Sequence, residues 1–195
     1  MRPLLHIGPL TSLQDARSSA AVGFDVISFS LERGSPRKLS GSLIWNMINW
    51  LSGPEIFLEW NAPSLPEVQG LADTVVYQGL IAPWADVGEL ASASDKPQWW
   101  RIPASGISEA PDNVLLYVEV NSAAEALALE PHFARLILHF PDLEASFDFL
   151  NQTTSWPYAL SLGPEAEEEM GVLDYERIDE WLEKFQEHFP DFPDE

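Results

Sequence analysis

The chain has 195 residues, 46% of them hydrophobic and none of them cysteine, which supplies one sizeable core and excludes disulfides, thiolate nucleophiles and cysteine metal ligands. A formal charge of -21, from 31 acidic against 10 basic residues, would repel polyanions, so neither nucleic acid nor an anionic membrane is expected as a partner. No apolar run approaches the ~18 residues of a membrane span, Met1-Arg2-Pro3 leads into a strand pattern instead of a signal peptide, and a cytoplasmic protein is expected.

The first strand-like run, Leu4 to Ile7, ends in turn residues. Ser12, at capping-box spacing from Asp15, opens an alanine-rich helix, Gly23 closes it, and Val26 to Ser30 is a second run. Together they make one β-α-β unit. A helix carrying Trp45 and Trp50 follows and ends at Gly53; its tryptophans read as packing or subunit contacts, not as cofactor stacking. The third, fourth and fifth runs are Ile56 to Trp60, Thr74 to Gln78 and Gln98 to Ile102. Only a short helix, around Asp86 to Ala93, fits between the last two, and at least one ring of Trp99-Trp100 should lie in the core.

Ala104 to Asn113 follows Pro103 and contains Gly106 and Pro111, so an irregular loop is expected there. The remaining runs are Val114 to Val120, Leu136 to Phe140 and Tyr158 to Leu162, with Ser122 and Glu125 at capping-box spacing after the sixth. Glu165 to Glu169, between Gly163 and Gly171, reads as a solvated loop. In the last helix Ile178, Trp181, Leu182 and Phe185 share one face behind an Asp174 cap, so the helix should pack onto the barrel wall.

Eight runs with helices between them fit an α/β single-domain (βα)8 TIM-barrel-like fold. At 195 residues it is compact, with one or more helices shortened or replaced by loops. Residues 1–190 are expected to form the domain and 191–195 a short acidic tail. A doubly wound open sheet is the rival, because both architectures bury continuous apolar parallel strands.

A closed barrel would bring the polar residues near the strand ends to one mouth: His6, Ser28 or Ser30, Glu59, Gln78, Arg101, Glu119, His139 and Ser161. Polar side chains set in apolar strands need partners, and as a set they point to a small polar pocket. His6 and His139 lack metal-site spacing and no Gly-x-Ser-x-Gly elbow occurs, so neither a metal nor a serine hydrolase triad is expected. No cofactor is expected.

His6-Ile7-Gly8-Pro9-Leu10-Thr11 and Ser12-Leu13-Gln14-Asp15-Ala16, then Gly23-Phe24-Asp25-Val26-Ile27-Ser28-Phe29 and Ser35-Pro36-Arg37, resemble the opening of phosphoribosylanthranilate isomerase. That (βα)8-barrel enzyme performs an Amadori rearrangement in tryptophan biosynthesis. Leu160-Ser161-Leu162-Gly163-Pro164-Glu165 and Gly171-Val172-Leu173-Asp174 resemble its last strand and helix. The resemblance covers roughly the first 60 and last 40 residues. It implies an acid-base pair, a cysteine ending the first strand and an aspartate ending the sixth, on opposite sides of the sugar.

Gly8 stands at the cysteine position and Glu119 near the aspartate position. The resemblance also implies a phosphate held by glycine-rich loops after strands 7 and 8. Here strand 7 ends Phe140-Pro141-Asp142, and only Gly163 survives from strand 8, with Glu165, Glu167, Glu168 and Glu169 behind it.

The expectation is therefore a pseudoenzyme relative that binds a small acidic or carboxylate-bearing ligand, with Arg37, Ser161 and Gly163 as substrate-binding residues. Two alternatives are an active sugar isomerase or lyase using Glu119 with His6 or His139, and an interaction protein, a homodimer formed through the exposed aromatic helix.

Overall fold

The computed structural model describes residues 2–32, 34–60, 70, 75–90, 94–163, 167–169 and 172–189. Eight parallel strands close in sequence order into a barrel. They are β1 (Leu4–Ile7), β2 (Val26–Ser30), β3 (Glu55–Glu59), β4 (Gly79–Pro83), β5 (Gln98–Arg101), β6 (Leu115–Glu119), β7 (Leu136–Phe140) and β8 (Ala159–Leu162). Register pairs His6 with Ser161, Arg101 with Tyr117, and Glu119 and Ser161 with His139. Facing residues of parallel neighbours point to the same side, so one inward set runs round the barrel.

Inside, Val26, Phe57, Ile81, Trp99, Tyr117, Ile137 and Ala159 form a cluster separate from the larger one between strands and helices. Trp99 lies inside the barrel and Trp100 outside it, and both are buried. Gly79 is needed where it stands, because a Cβ there would meet the Phe57 ring at 2.3 Å.

Helices α1 (Leu13–Ala21), α2 (Gly41–Ile48), α3 (Val87–Leu90), α4 (Ala123–Ala128), α5 (Leu143–Gln152) and α6 (Tyr175–His188) connect the strands or follow the last one. Their starts are capped as the sequence spacing predicts: Ser12, Ser122 and Asp174 accept from the N–H groups of Asp15, Glu125 and Arg177. Gly23 and Gly53 take positive φ, 94° and 110°, as turn glycines do. On α6 the predicted face is the buried one: Ile178, Trp181, Leu182 and Phe185. Each such side chain contributes roughly 1.5–3 kcal/mol by leaving water. Asp15 ties the chain's two ends together, accepting from Tyr175 Oη and from Leu173 N.

Three local expectations need correction. The fourth strand is Gly79–Pro83 and not Thr74 to Gln78; Val75 and Tyr77 are buried but stay outside the ladder, and Gln78 spends its Oε1 on Ile56 N at the entrance to β3. A barrel strand buried on both faces is continuously apolar, which Gly79–Pro83 is and the alternating run before it is not. Ala104–Glu109 is a 3-10 helix, since Pro103 suits the residue just before a helix and Gly106 is tolerated in one turn. Glu167–Glu169 is not loop but a short strand, β9, antiparallel to β10 (Val172–Leu173). The remainder of the expected short helix, residues 91–93, the loop residues 165 and 166, and the tail 191–195 lie outside the described residues.

Candidate functional site

Above the apolar floor of the barrel, the inward positions of seven strands turn polar. Ser28 Oγ donates to Glu59 Oε1 at 2.5 Å, and His6 bridges Ser28 and Ser161, with Nε2 2.9 Å from Ser28 Oγ and Nδ1 2.7 Å from Ser161 Oγ. Ser161 Oγ also lies 3.0 Å from Tyr117 Oη and 3.0 Å from His139 Nδ1. At the other end, Glu59 Oε2 sits 3.5 Å from Arg101, which also pairs with Glu32. A continuous chain thus runs His139, Ser161, His6, Ser28, Glu59, Arg101, Glu32.

Ser28 spends its single proton on Glu59 Oε1, so Ser28 must accept from His6 Nε2–H. Burial, with His139 close by, holds the pKa of His6 well below its usual value; the ring is neutral and its Nδ1 accepts the Ser161 proton. Ser161 then has only lone pairs left, and these accept from Tyr117 O–H and His139 Nδ1–H. Burial, seconded by Arg101, lowers the pKa of His139 to about 4, so its Nε2 is an unprotonated base. No described residue bonds that nitrogen. Burial raises the pKa of Glu59 against the opposing pull of Arg101, the Ser28 hydrogen bond and Arg37. Tyr117, pushed well above its usual value by burial and then by Glu59, stays a donor.

The expected residues separate by depth. His6 and Ser161 are fully buried, with 0% exposure, a level below the mouth, where they link its two sides through hydrogen bonds. Ser30 is likewise buried and accepts from Glu32 N. His139 reaches the mouth at 8% exposure, its ring stacked on Tyr117 with centroids 5.1 Å apart. Glu119, its register partner, is exposed. Arg101, Ile102, Pro103, Tyr117 and Glu119 line a cleft of about 350 Å³. Arg37 donates to Pro9 O at 3.5 Å, over the end of β1. Tyr117 is the member sequence reasoning missed; its place two residues before Glu119 was the available signal.

Gly8 is enclosed: a Cβ on it would lie 2.0 Å from Ser28 Oγ and 2.9 Å from Ser28 O. The Gly8-Pro9 peptide is cis. At the ends of β7 and β8, Gly163 N donates to Phe140 O at 3.0 Å, Pro141 has no N–H, and the start of α5 is capped by the Asp142 carboxylate through Glu144 N at 2.9 Å. β9, with three consecutive glutamates, follows β8. Among the described residues no three His, Asp or Glu side chains gather as a metal site would require, and no helix is long and apolar enough to cross a membrane.

No protein-family model matches the chain, and no curated protein sequence does. Solved structures do match. Phosphoribosyl anthranilate isomerase from Thermus thermophilus superposes with a TM-score of 0.76 at 22% identity, covering 96% of this chain and 100% of that one. TrpF from Jonesia denitrificans gives 0.78 at 18% identity over 94% and 97%. The isomerase from Thermotoga maritima gives 0.76 at 13% over 96% and 100%, and a further structure from that organism is described as monomers of the dimeric isomerase. The chain has a phosphoribosylanthranilate-isomerase-like barrel fold.

Proposed function

We propose that this barrel has given up the Amadori isomerisation and binds a small, unphosphorylated, carboxylate-bearing molecule at its mouth. Gly8 carries the reading. The resemblance implies a proton-transferring side chain there, and the space such a side chain would need is filled by Ser28 Oγ. With Ser28 fixed between His6 and Glu59, the site cannot regain the group by one substitution.

The ends of β7 and β8 support the same reading. A phosphate dianion needs unspent N–H groups and positive potential; here the Gly163 N–H is bonded to Phe140, and Asp142 occupies the start of α5. The cleft beside Arg101, Tyr117 and Glu119, about 350 Å³, is at the small end of ligand sites. Arg37, which faces Glu59 closely enough to lower its pKa, and Arg101 supply the positive charge a carboxylate seeks.

Two measurements test the reading. Purified protein incubated with phosphoribosylanthranilate should show no conversion above the uncatalysed rate. A saturation-transfer NMR screen of small oxo acids beside their phosphorylated counterparts should give signals only for the former, lost in Arg37→Gln. Enzyme-like conversion, or binding confined to the phosphorylated set, overturns it.

A second reading concerns assembly. Leu43, Trp45 and Trp50, on and just beyond α2, are 45%, 46% and 70% exposed, large apolar side chains available for burial against a second copy. We propose a homodimer formed through it.

A further inference from the structure

Every hydrogen bond between His139 and Glu59 can be reversed without losing one. If a proton arrives at His139 Nε2, the Nδ1 proton passes to Ser161 Oγ and the former Ser161 proton to His6 Nδ1. The His6 Nε2 proton then passes to Ser28 Oγ and the former Ser28 proton to Glu59 Oε1. Ser161 now donates to His139 and accepts from His6 and, as before, from Tyr117; Ser28 donates to His6 and accepts from Glu59. The four links measure 3.0, 2.7, 2.9 and 2.5 Å, all within direct transfer distance. Charge enters at β7 and is neutralised at β3, and no imidazolium remains.

A buried glycine packs against the edge of the His139 ring that carries Nε2. A Cβ on Gly163 would stand 2.9 Å from His139 Cε1 and 3.2 Å from Nε2, so any side chain there would crowd the unbonded nitrogen. Resemblance to an Amadori isomerase does not suggest this arrangement, which uses strands 7, 8, 1, 2 and 3 in place of a pair at strands 1 and 6.

We propose that His139, Ser161, His6, Ser28 and Glu59 form a proton store entered at His139, making His139 Nε2 a one-base catalyst of tautomerisation with Glu59 as the remote holder of the proton. The substrate class is a small carboxylate-bearing molecule with a weakly acidic C–H beside a carbonyl or imine carbon. This identification of the ligand rests on the binding role proposed above; the relay itself does not. The C–H bond breaks, its electron pair moves into the conjugated system of the ligand, an N–H forms at His139 Nε2, and an O–H forms on Glu59. The chain then runs backwards, and His139 Nε2 returns the proton to the atom that received the electron pair. Protons and electrons balance, and the protein is restored. His139 is the catalytic residue; Ser161, His6 and Ser28 conduct, and Glu59 stores.

Among the described residues the groups facing the store are Arg101, Glu32 and Arg37 around Glu59, Tyr117, Arg101 and the register partner Glu119 around His139, and Trp99 and Tyr117 around His6.

The test needs no ligand. In protein labelled with 15N-histidine and 13C-glutamate, NMR at pH 7 should show the proton of His6 on Nε2 and that of His139 on Nδ1. Acid titration should move both tautomers together with the Glu59 carboxyl resonance, in one step and with both rings neutral. In Ser161→Ala, and separately in Ser28→Ala, Glu59 should titrate while the His139 tautomer stays put. The opposite tautomers at pH 7, an imidazolium formed at either ring during the Glu59 step, or coupled movement that survives both substitutions overturns the store. The wild-type titration decides even where a variant does not fold. Failure of the ligand screen alone leaves the titration result standing and removes only the substrate class.

Discussion

Ser28 Oγ stands 2.0 Å from the point a Cβ on Gly8 would occupy, and it stands there because His6 and Glu59 hold it from both sides. The bare Cα at position 8 and the polar chain across the barrel are therefore one arrangement. A side chain at position 8 requires Ser28 to leave its two partners.

Gly8→Cys should consequently be costly and inactive. Overpacking a rigid site typically costs 1–3 kcal/mol, and the added atom also displaces a hydroxyl that makes two buried hydrogen bonds. A thermal melt should fall by several degrees, with no turnover of phosphoribosylanthranilate. A variant as stable as the parent, or one that converts this substrate, would show that the site is still open.

The buried histidines should make the protein sensitive to mild acid. Unfolded, each takes up a proton near pH 6.5, while in the fold His139 resists down to about pH 4 and His6 is also held low. The unfolded chain binds more protons below pH 6.5, so stability falls as the pH drops from 7 towards 4. For His139 alone the full gap is worth about 3 kcal/mol. Glu59, with its pKa raised, works in the opposite direction, since the folded state protonates it first. Melting curves of His139→Gln should lose less stability than the parent between pH 7 and 5; parallel curves would refute the assignment of a neutral His139.

Asp15 is the tie between the first and last elements. It is 3% exposed and receives hydrogen bonds from Ser12 Oγ at 2.6 Å, Tyr175 Oη and Leu173 N. Asp15→Ala strands buried donors and should cost about 2–3 kcal/mol. Tyr175→Phe, which removes one partner at a half-buried site, should cost about 1 kcal/mol. Chemical denaturation gives both values, and equal losses would mean that the tie does not depend on the Asp15 carboxylate.

The α2 surface makes a separate prediction. Sedimentation of the parent should show a dimer, and the double variant Trp45→Ser, Trp50→Ser should be a monomer with an unchanged melt, because Ile44 and Met47, not these rings, are the buried residues of α2. A parent that stays monomeric at high concentration removes the homodimer.

Much of the barrel is written locally in the chain. Leu4–Ile7, Val26–Ser30 and Leu136–Phe140 are strands at the expected bounds because each is a short, mainly apolar run, and α6 shows its buried face through spacing alone. β4 is not legible locally: Val75-Val76-Tyr77 has the strand propensity, whereas the strand itself opens on a glycine whose necessity lies in the distant Phe57 ring. The mouth was legible as a set of polar residues but not in depth. Which of His6, His139 and Ser161 is buried depends on stagger between strands up to 155 residues apart, and no single run carries that information. For the same reason Tyr117 passed as one more apolar position in β6.

We propose that the fold of an Amadori isomerase persists here without its reaction. Fluorescence of anthranilate-linked substrate during incubation of purified protein with freshly made phosphoribosylanthranilate tests it most directly. The account predicts a decay no faster than in buffer and unchanged by Glu119→Gln. Conversion at an enzyme-like rate, abolished by Glu119→Gln, would contradict it.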